Sequence, residues 1–385
     1  MIDSKHSHGL LVSISVAAAF AAMAAPAQAE ITIGAIYSVT GPAAALGIGP
    51  RNAMALWPKE IGGEPVRILV YDDASDPSQA TRHARKLTQE DKADVIIGST
   101  VTPGALAISE VAIETGTPQL AASPVELAPD KEGWTFRLPQ SVALMAEGTI
   151  EHMKQQGIKT FGFLGYSDAY GESWLQELKK NADREGISLT TAERFGRADT
   201  SVTAQALRLL STKPDAVVIV ASGSGSAMPQ LTVQERGYDG PIYQTFGAVA
   251  PDLIRLAGKA AEGTYGLSGP AVAPDQLPAD HPSRQVALDY VAEYERANGQ
   301  GSYNQFAANI QGGLLVLQEA IPVALQQAKP GTPEFRTALR DALRSVGEVA
   351  VPQGVLNYTA DDPYGFDARG RFVLQVQDGA WRAVR

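Results

Sequence analysis

The sequence contains no cysteine, which excludes both disulfide bonds and thiolate metal sites. Histidine is also scarce, with five in the whole chain. The three that follow residue 29 are far apart and show neither H-x-x-x-H nor H-E-x-x-H spacing: His83, His152 and His281. We interpret them as structural or surface residues, and we predict neither a metal ion nor any other cofactor.

An excess of positive charge is also missing. The chain carries 32 Lys and Arg residues against 42 Asp and Glu residues, a formal net charge of −10. Nucleic acids and anionic lipids attract basic proteins and repel an acidic one. The composition therefore predicts no nucleic acid partner and no binding to a charged membrane surface.

The sequence has few long apolar runs, and the clearest one lies near its start. Leu10–Ala25 follows a weakly basic segment and precedes Ala27-Gln28-Ala29, which has the small-residue pattern of a signal cleavage site. The run is shorter than the ~20 residues that a membrane span needs, and we expect no later stretch to qualify. We interpret residues 1–29 as an export signal, so no direct membrane insertion is expected after its removal.

After residue 29 the chain alternates strand-like and helix-like segments. Apolar segments at 31–37, 66–71 and 95–98 are separated by helical patterns, and the alternation restarts near residue 144. Helical patterns close together in the last third have no strand between them, and we expect them to pack on the first sheet. The alternation predicts an α/β fold with parallel sheets.

The two series predict two doubly wound, Rossmann-like lobes joined by hinge crossings. Lobe 1 would comprise residues 31–141 and 268–350, and lobe 2 would comprise residues 142–267 and 351–385. Ligands of open α/β sheets bind beyond the carboxyl ends of the strands. We therefore expect a ligand cleft where these ends of the two sheets face each other.

The segment 94–104 combines a short strand, a hydroxyl-rich loop and a helix start. Ser99, Thr100 and Thr102 lie where first-turn N–H groups lack partners and where the helix dipole favours negative charge. This chemistry predicts an anion site, in particular one for a carboxylate. An ordinary helix cap by Thr100 or Thr102 would explain the same residues, and the segment alone does not separate the two interpretations.

Four motifs in this order resemble the type I periplasmic binding proteins, in the leucine/isoleucine/valine-binding branch of ABC-transporter receptors. They are Ser38-Val39-Thr40-Gly41-Pro42, Tyr71-Asp72-Asp73-Ala74-Ser75-Asp76-Pro77, Ile97-Gly98-Ser99-Thr100 and Tyr170-Gly171-Glu172. The likeness covers essentially the whole mature chain. It implies two lobes that close on a small ligand in the periplasm and deliver it to the permease subunits of an ABC transporter.

The resemblance also implies particular ligand contacts. Thr102 resembles the hydroxyl residue that binds the ligand carboxylate, and Thr100 lies beside it. Ala122 and Ser123 resemble a second carboxylate contact. Tyr170 resembles the tyrosine of the second lobe that packs over the ligand.

Departures from the family pattern predict a ligand without an amine. Leu46 occupies the position of a tyrosine in the first lobe, and a segment that includes Ser222 and Ser224 replaces an aromatic loop in the second. Phe246 stands where amino-acid binders place a glutamate for the ligand ammonium. Because a buried ammonium without a carboxylate partner costs several kcal/mol, we expect a small carboxylate that lacks an α-amine.

The expected pocket lining is rich in rings and apolar groups. It comprises Leu46, Tyr170, Phe246 and Tyr303. Because aromatic rings pack well on one another, this lining favours an aromatic acid of the benzoate or phenylpropenoate type. We predict a periplasmic substrate-binding component of an ABC uptake transporter.

Three alternatives remain open. The chain could be a branched-chain or other amino-acid-binding protein of the same family, a periplasmic ligand sensor, or an α/β serine hydrolase. The hydrolase hypothesis rests on Gly165-Tyr166-Ser167-Asp168-Ala169, which lacks the last glycine of G-x-S-x-G. It also needs a base, and His281 is the single histidine downstream of Ser167. We therefore predict that the protein is not an enzyme.

Overall fold

The computed structural model describes residues 30–384, and the predicted export signal lies outside this range. The first sheet has six strands: β1 (Ile31–Tyr37), β2 (Glu60–Ile61), β3 (Glu64–Asp72), β4 (Val95–Gly98), β5 (Gln119–Ala121) and β6 (Thr135–Arg137). Their order is β2-β3-β1-β4-β5-β6, and all neighbours are parallel except β2 and β3. Every residue of β1 is buried, as expected for a central parallel strand covered on both faces.

The second sheet has seven strands. Five of them are parallel: β7 (Thr160–Tyr166), β8 (Ser188–Phe195), β9 (Ala216–Val220), β10 (Ile242–Gln244) and β11 (Tyr265–Ser268). After a separate hairpin of β12 (Val349–Val351) and β13 (Gly354–Leu356), the chain returns and adds the antiparallel strands β14 (Phe372–Gln377) and β15 (Ala380–Ala383). The strand order is β15-β14-β11-β10-β9-β7-β8. The predicted α/β fold with two mostly parallel sheets is confirmed.

Helices connect the strands and cover both sheets. In chain order they are α1 (Ile48–Met54), α2 (Pro77–Arg85), α3 (Thr102–Thr115), α4 (Val142–Gln155), α5 (Ala169–Glu185), α6 (Thr203–Ser211), α7 (Ala227–Glu235), α8 (Pro251–Ala257), α9 (Ser283–Asn298), α10 (Gln305–Leu325) and α11 (Pro333–Leu343). Helix α3 ends at Gly116, whose φ of 58° is the left-handed conformation that glycine adopts without steric cost.

Each sheet has an apolar core of its own. In the first core, Ile33 and Ile97 from the sheet pack together with Leu317 from α10 and Phe335 from α11. This packing confirms the expectation that the late helices return to the first sheet. A helix pair on its own would leave these apolar faces in water, which costs roughly 25 cal/mol for each Å².

The end of the hairpin also belongs to the first core. Leu356, Tyr358 and Phe366 are buried there, and Tyr358 donates from its hydroxyl to the Arg137 carbonyl at 2.7 Å. The boundary expected at residue 351 therefore lies too early. Residues 351–366 pack with the first sheet, and the chain returns to the second sheet only afterwards.

The chain passes between the two units after β6, after β11 and after Phe366. Gln140, which follows β6, donates from Nε2 to the carbonyls of Gln353 at 2.9 Å and Gly370 at 2.8 Å. Ser268, at the end of β11, donates to Gln305 Oε1 at 2.6 Å. These buried bonds join the first crossing to the third and the second crossing to the start of α10, and they satisfy the polar groups involved.

Several short elements were not expected from the sequence. Strands β2, β6 and β11 and the two hairpin strands were not predicted from the sequence. A strand of two to four residues is too short for a periodic pattern, so its neighbours in the sheet determine its conformation.

Helix α10 corrects a further expectation. Its 21 residues are apolar enough to cross a membrane by composition, with a mean hydropathy of 1.2 over 18 residues. The expectation that no later stretch passes this test is therefore wrong. Of that window 61% is buried, and Ala308, Leu317 and Ile321 lie in the first core. A helix buried on most sides is apolar most of the way round, which explains its composition.

Asp94 gives this fold a defined pH dependence. Its carboxylate accepts from the main-chain N–H groups of Thr32 at 3.0 Å and Gly331 at 2.7 Å. Burial raises the pKa of Asp94 to about 6. The folded protein therefore holds a proton that the unfolded chain releases between about pH 4 and pH 6, so this contribution to stability is lost as pH rises through that window.

We expect Asp94→Asn to remove this fall in stability. In the unmodified protein the effect reaches about 3 kcal/mol, because each pKa unit corresponds to about 1.4 kcal/mol. The measurement is the free energy of unfolding in urea at pH values from 4 to 7. Asp215→Asn is the matched control, because main-chain hydrogen bonds lower the pKa of that surface carboxyl. Equal pH slopes in Asp94→Asn and the unmodified protein would contradict the assignment.

Candidate ligand-binding site

The candidate site is a cavity between the two units, at the carboxyl ends of their parallel strands. All but two of the ten residues predicted for the site line it: Leu46, Thr100, Thr102, Ala122, Ser123, Tyr170, Ser222 and Phe246. The first five follow strands of the first sheet, and the other three follow β7, β9 and β10 of the second. This is the position at which open α/β sheets bind ligands.

The cleft is narrow in this structure. Its cavity volume is about 30 Å³. The units touch at its rim, since a Cβ placed on Gly223 would lie 3.2 Å from Leu46 Cδ2 and 3.3 Å from Ala45 Cβ. A ligand held here would therefore lose most of its water, and the units would have to part to admit it.

Three hydroxyl residues lie at the start of α3 and after β5, and their protons are engaged differently. Thr102 donates from Oγ1 to the Pro124 carbonyl at 2.8 Å, and Ser123 donates from Oγ to the Ser99 carbonyl at 3.1 Å. Thr100 Oγ1 instead accepts from the Ser38 N–H at 3.1 Å. Among the described residues Thr100 therefore keeps its own proton for an external acceptor.

Neither threonine caps helix α3. The N-cap residue is Val101, which has extended backbone geometry and no side-chain capping bond. The interpretation of Thr100 or Thr102 as an ordinary helix cap is therefore wrong. In the first turn of α3, Thr102 lines the cavity, and its N–H has no carbonyl partner from an earlier helical turn, which suits a negatively charged group.

Asp73 holds the strand ends of the first unit in place. It is fully buried and accepts from the hydroxyls of Ser38 at 2.6 Å and Ser99 at 2.5 Å, and from the Ser75 N–H at 2.9 Å. These donors follow β1, β4 and β3, so one carboxylate connects three neighbouring strand ends. The network positions the loop that carries Thr100.

Aromatic rings form the wall of the second unit. The rings of Tyr170 and Phe246 lie 6.3 Å apart and nearly perpendicular, and Trp174 packs 5.6 Å from Phe246. Burial raises the pKa of Tyr170 above its usual value, so its hydroxyl stays protonated and donates to Thr245 Oγ1 at 2.8 Å. Gly171 is required here, because a Cβ at that position would lie 1.8 Å from the Tyr166 carbonyl oxygen.

Arg197 is the main residue of the site that sequence reasoning missed. It lines the cavity and follows β8. Its Nε donates to Asp168 Oδ2 at 2.6 Å and its Nη1 donates to Ser222 Oγ at 3.0 Å. Its guanidinium lies 4.1 Å from the centre of the Tyr166 ring. A basic residue just beyond a parallel strand was the available signal, because such positions converge at one edge of the sheet.

Other missed residues line the cavity near the crossings: Pro139, Gln140, Gln305, Phe306 and Asn309. Gln305 and Phe306 begin α10, which Asn304 caps by accepting from the Ala307 N–H at 3.0 Å. The cap could have been recognised in the sequence, but the direction of the helix relative to the cleft depends on tertiary packing.

Two predicted site residues lie elsewhere. Ser224 is exposed and does not line the cavity. Tyr303 lines a second cavity of about 420 Å³ together with Val249 and Trp381. Tyr303 packs against Tyr290 and Tyr294 with centroid distances of 6.3 and 6.2 Å, so its ring belongs to the edge of the first core. Neither residue therefore lines the cleft cavity with the other eight.

The geometry gives no support to a serine hydrolase. Ser167 is exposed and its N–H donates to the Phe195 carbonyl at 2.9 Å. The histidine required as base, His281, pairs through Nε2 with the Arg369 carbonyl at 3.1 Å. A catalytic serine needs its base within hydrogen-bond reach, and this pair does not meet that condition.

The charge of the described cavity lining is positive. Among the described residues that line it, Arg197 is charged and none is Asp or Glu. The remaining lining is hydroxyl, amide, aromatic or aliphatic. The site can therefore bind an anion that also carries an apolar body.

Comparison with known proteins places the chain among solute-binding proteins. The Leu/Ile/Val-binding protein BraC3 of Rhizobium johnstonii is 29% identical over 210 residues, which covers 51% of this chain and 56% of that protein. The match thus spans about half the length of this curated relative. An extracellular ligand-binding receptor from Rhodopseudomonas palustris HaA2 is 45% identical, with a TM-score of 0.91 over 92% of this chain and all of that one (100%).

A more distant neighbour shares the fold alone. The solute-binding protein of an ABC transporter from R. palustris, solved in complex with benzoate, is 20% identical, with a TM-score of 0.77 over 92% of this chain and 95% of that one. The profile of the periplasmic binding protein family matches residues 30–380. The predictions of this family and of a protein that is not an enzyme are confirmed. This chain belongs to the periplasmic binding protein family, whose members bind solutes.

Proposed function

We propose that this protein is the substrate-binding component of an ABC uptake transporter and that its ligand is a small aromatic carboxylate without an α-amine. The export signal, the periplasmic location of the mature chain and docking on permease subunits are part of the same proposal. The two units act as lobes that move about the three crossings and close on the ligand.

The proposed ligand class rests on one observation, namely the absence of a carboxylate from the described lining of the cleft. An amino acid would bring an ammonium group into a narrow cavity that offers no negative partner. Such burial costs several kcal/mol unless the charge is paired. Phe246, which is 5% exposed, provides a ring at the second-lobe wall instead.

The carboxylate of the ligand lies at the start of α3, beside Thr100, Thr102 and Ser123. Its apolar body lies between Leu46 and the rings of Tyr170 and Phe246. Burial of the ring supplies most of the binding free energy, whereas the polar contacts orient the ligand. The benzoate found in the distant neighbour supports an acid of this class, although the likeness itself concerns only the fold.

Binding of a branched-chain amino acid is the second candidate, and the name of the relative BraC3 favours it. The two candidates differ in one chemical group, the α-ammonium. A comparison of ligands that are identical except for this group therefore separates them.

We expect calorimetry with two matched ligand pairs to distinguish the candidates. The first pair is 3-phenylpropanoate and L-phenylalanine, and the second is 4-methylpentanoate and L-leucine. Each amine-free acid should bind at least about tenfold tighter than its amino acid, since an unpaired buried ammonium costs more than the 1.4 kcal/mol that corresponds to tenfold. The ring-bearing acid should also bind tighter than the aliphatic one. Tighter binding of L-leucine than of both acids would overturn the proposed function.

A further inference from the structure

Arg197 is a cation built into the wall of the second lobe. Its side chain is 18% exposed and its partner Asp168 is 22% exposed. Asp168 uses its other oxygen to cap α5 by accepting from the N–H groups of Tyr170 at 3.0 Å and Gly171 at 3.2 Å. The guanidinium is therefore held by the same carboxylate that fixes the helix carrying Tyr170.

The fixed guanidinium keeps donors for another partner. An arginine side chain has five N–H bonds. The hydrogen bonds to Asp168 and Ser222 use one on Nε and one on Nη1. Among residues 30–384, no acceptor takes a hydrogen bond from Nη2, although Arg197 lines the cleft.

The first lobe alone replaces only part of the hydration that a bound carboxylate loses. The hydroxyl protons of Thr102 and Ser123 are donated to main-chain oxygens, which leaves Thr100 with a free proton. A carboxylate enclosed in the narrow cleft loses its water, and a hydroxyl and a helix N-terminus return only part of that hydration. A guanidinium supplies stronger, charge-assisted hydrogen bonds.

We propose that Arg197 binds the carboxylate of the ligand in the closed cleft, opposite Thr100. The anion then bridges the two lobes, so the negative charge of the ligand stabilises the closed conformation. Asp168 is a positioning residue that orients the guanidinium. This inference rests on the proposed function and adds to it a specificity-determining residue on the second lobe.

The test compares an acid with its neutral amide in variants of Arg197. The probes are 3-phenylpropanoate and 3-phenylpropanamide, which have nearly the same shape and differ in charge. We expect Arg197→Gln to lower the affinity for the acid by about 10- to 100-fold, which is the range for a lost hydrogen bond to a charged group. The affinity for the amide should change far less. A purely structural role would weaken both probes equally.

Arg194→Gln is the matched control. Arg194 lies in β8, three residues before Arg197, and forms an ion pair with Glu172 away from the cleft. This variant should keep the acid-to-amide preference of the unmodified protein. Arg197→Lys retains the charge without the planar fork and should give an intermediate preference.

The outcomes separate the inference from the proposed function. If neither probe binds the unmodified protein and L-leucine does, the proposed function is wrong. If the acid binds and Arg197→Gln leaves the acid-to-amide preference unchanged, the proposed function stands and the role of Arg197 is rejected. A crystal structure of the unmodified protein with 3-phenylpropanoate does not depend on how the variants fold. A carboxylate oxygen within hydrogen-bond distance of Arg197 Nη2 or Nη1 is expected, and a carboxylate bound by the first lobe alone would overturn the inference.

Discussion

Phe246→Glu is expected to abolish binding of 3-phenylpropanoate, with a loss of affinity of at least about 100-fold, because juxtaposed like charges in a desolvated site cost several kcal/mol. Phe246 is buried at the cleft wall and packs on Tyr170 and Trp174. A glutamate at this position would place a second anion in the same enclosed cavity as the ligand carboxylate and would also remove the ring on which the ligand packs.

Phe246→Gln separates these two effects, because glutamine has the shape of glutamate without its charge. We expect this variant to lose part of the affinity through the missing ring and to bind the acid clearly tighter than Phe246→Glu does. Calorimetry measures both affinities, and thermal unfolding without ligand shows whether each variant is folded. Equal affinities of the two folded variants would mean that position 246 does not face the ligand.

The second large effect concerns Asp73. Asp73→Ala would leave three donors without their acceptor, namely the hydroxyls of Ser38 and Ser99 and the Ser75 N–H. Because each buried donor left unpaired costs about 1–3 kcal/mol, we expect the three together to destabilise the protein by about 3–9 kcal/mol. Ligand affinity should also fall, since Ser99 adjoins Thr100 and its carbonyl accepts from Ser123.

Asp76→Ala is the control for this prediction. Asp76 also accepts main-chain N–H groups, from Ser78 at 2.7 Å and Gln79 at 3.3 Å, but it is a capping residue at the surface. Its removal should destabilise the protein much less and leave ligand affinity unchanged. Unfolding in urea gives the stabilities, and calorimetry with 3-phenylpropanoate gives the affinities. Similar values for both variants would show that the buried network is not what holds the strand ends.

The pattern of apolar residues was sufficient to predict most of the first core. Alternation of buried strands and amphipathic helices is a local property, so β1, β4 and the helices α9 to α11 were recognised from periodicity. The return of these helices to the first sheet followed from the need to bury their apolar faces. By contrast, the segment 351–366 carries no such pattern, and its place in the first core depends on contacts such as that of Tyr358 with the Arg137 carbonyl.

The candidate site likewise contains some residues whose position follows from the local sequence and others whose position depends on tertiary packing. Residues that directly follow predicted strands, such as Ser123 and Phe246, line the cleft because the carboxyl ends of parallel strands converge. Tyr303 precedes a helix, and no local rule determines which way such a residue faces. Its ring packs with Tyr290 and Tyr294 and lines another cavity.

By itself the sequence determined the fold class, the absence of disulfide and thiolate chemistry, and a hydroxyl-rich strand end suited to an anion, since these depend on residue type and short-range spacing. Only the tertiary structure decided which hydroxyl keeps its proton and that Arg197 enters the cleft. It also decided that Asp94 is buried and accepts from the N–H of Gly331, 237 residues away. Hydrogen-bond partners and desolvation depend on which distant segments come together, and this information lies in the packing of the whole chain rather than in any local pattern.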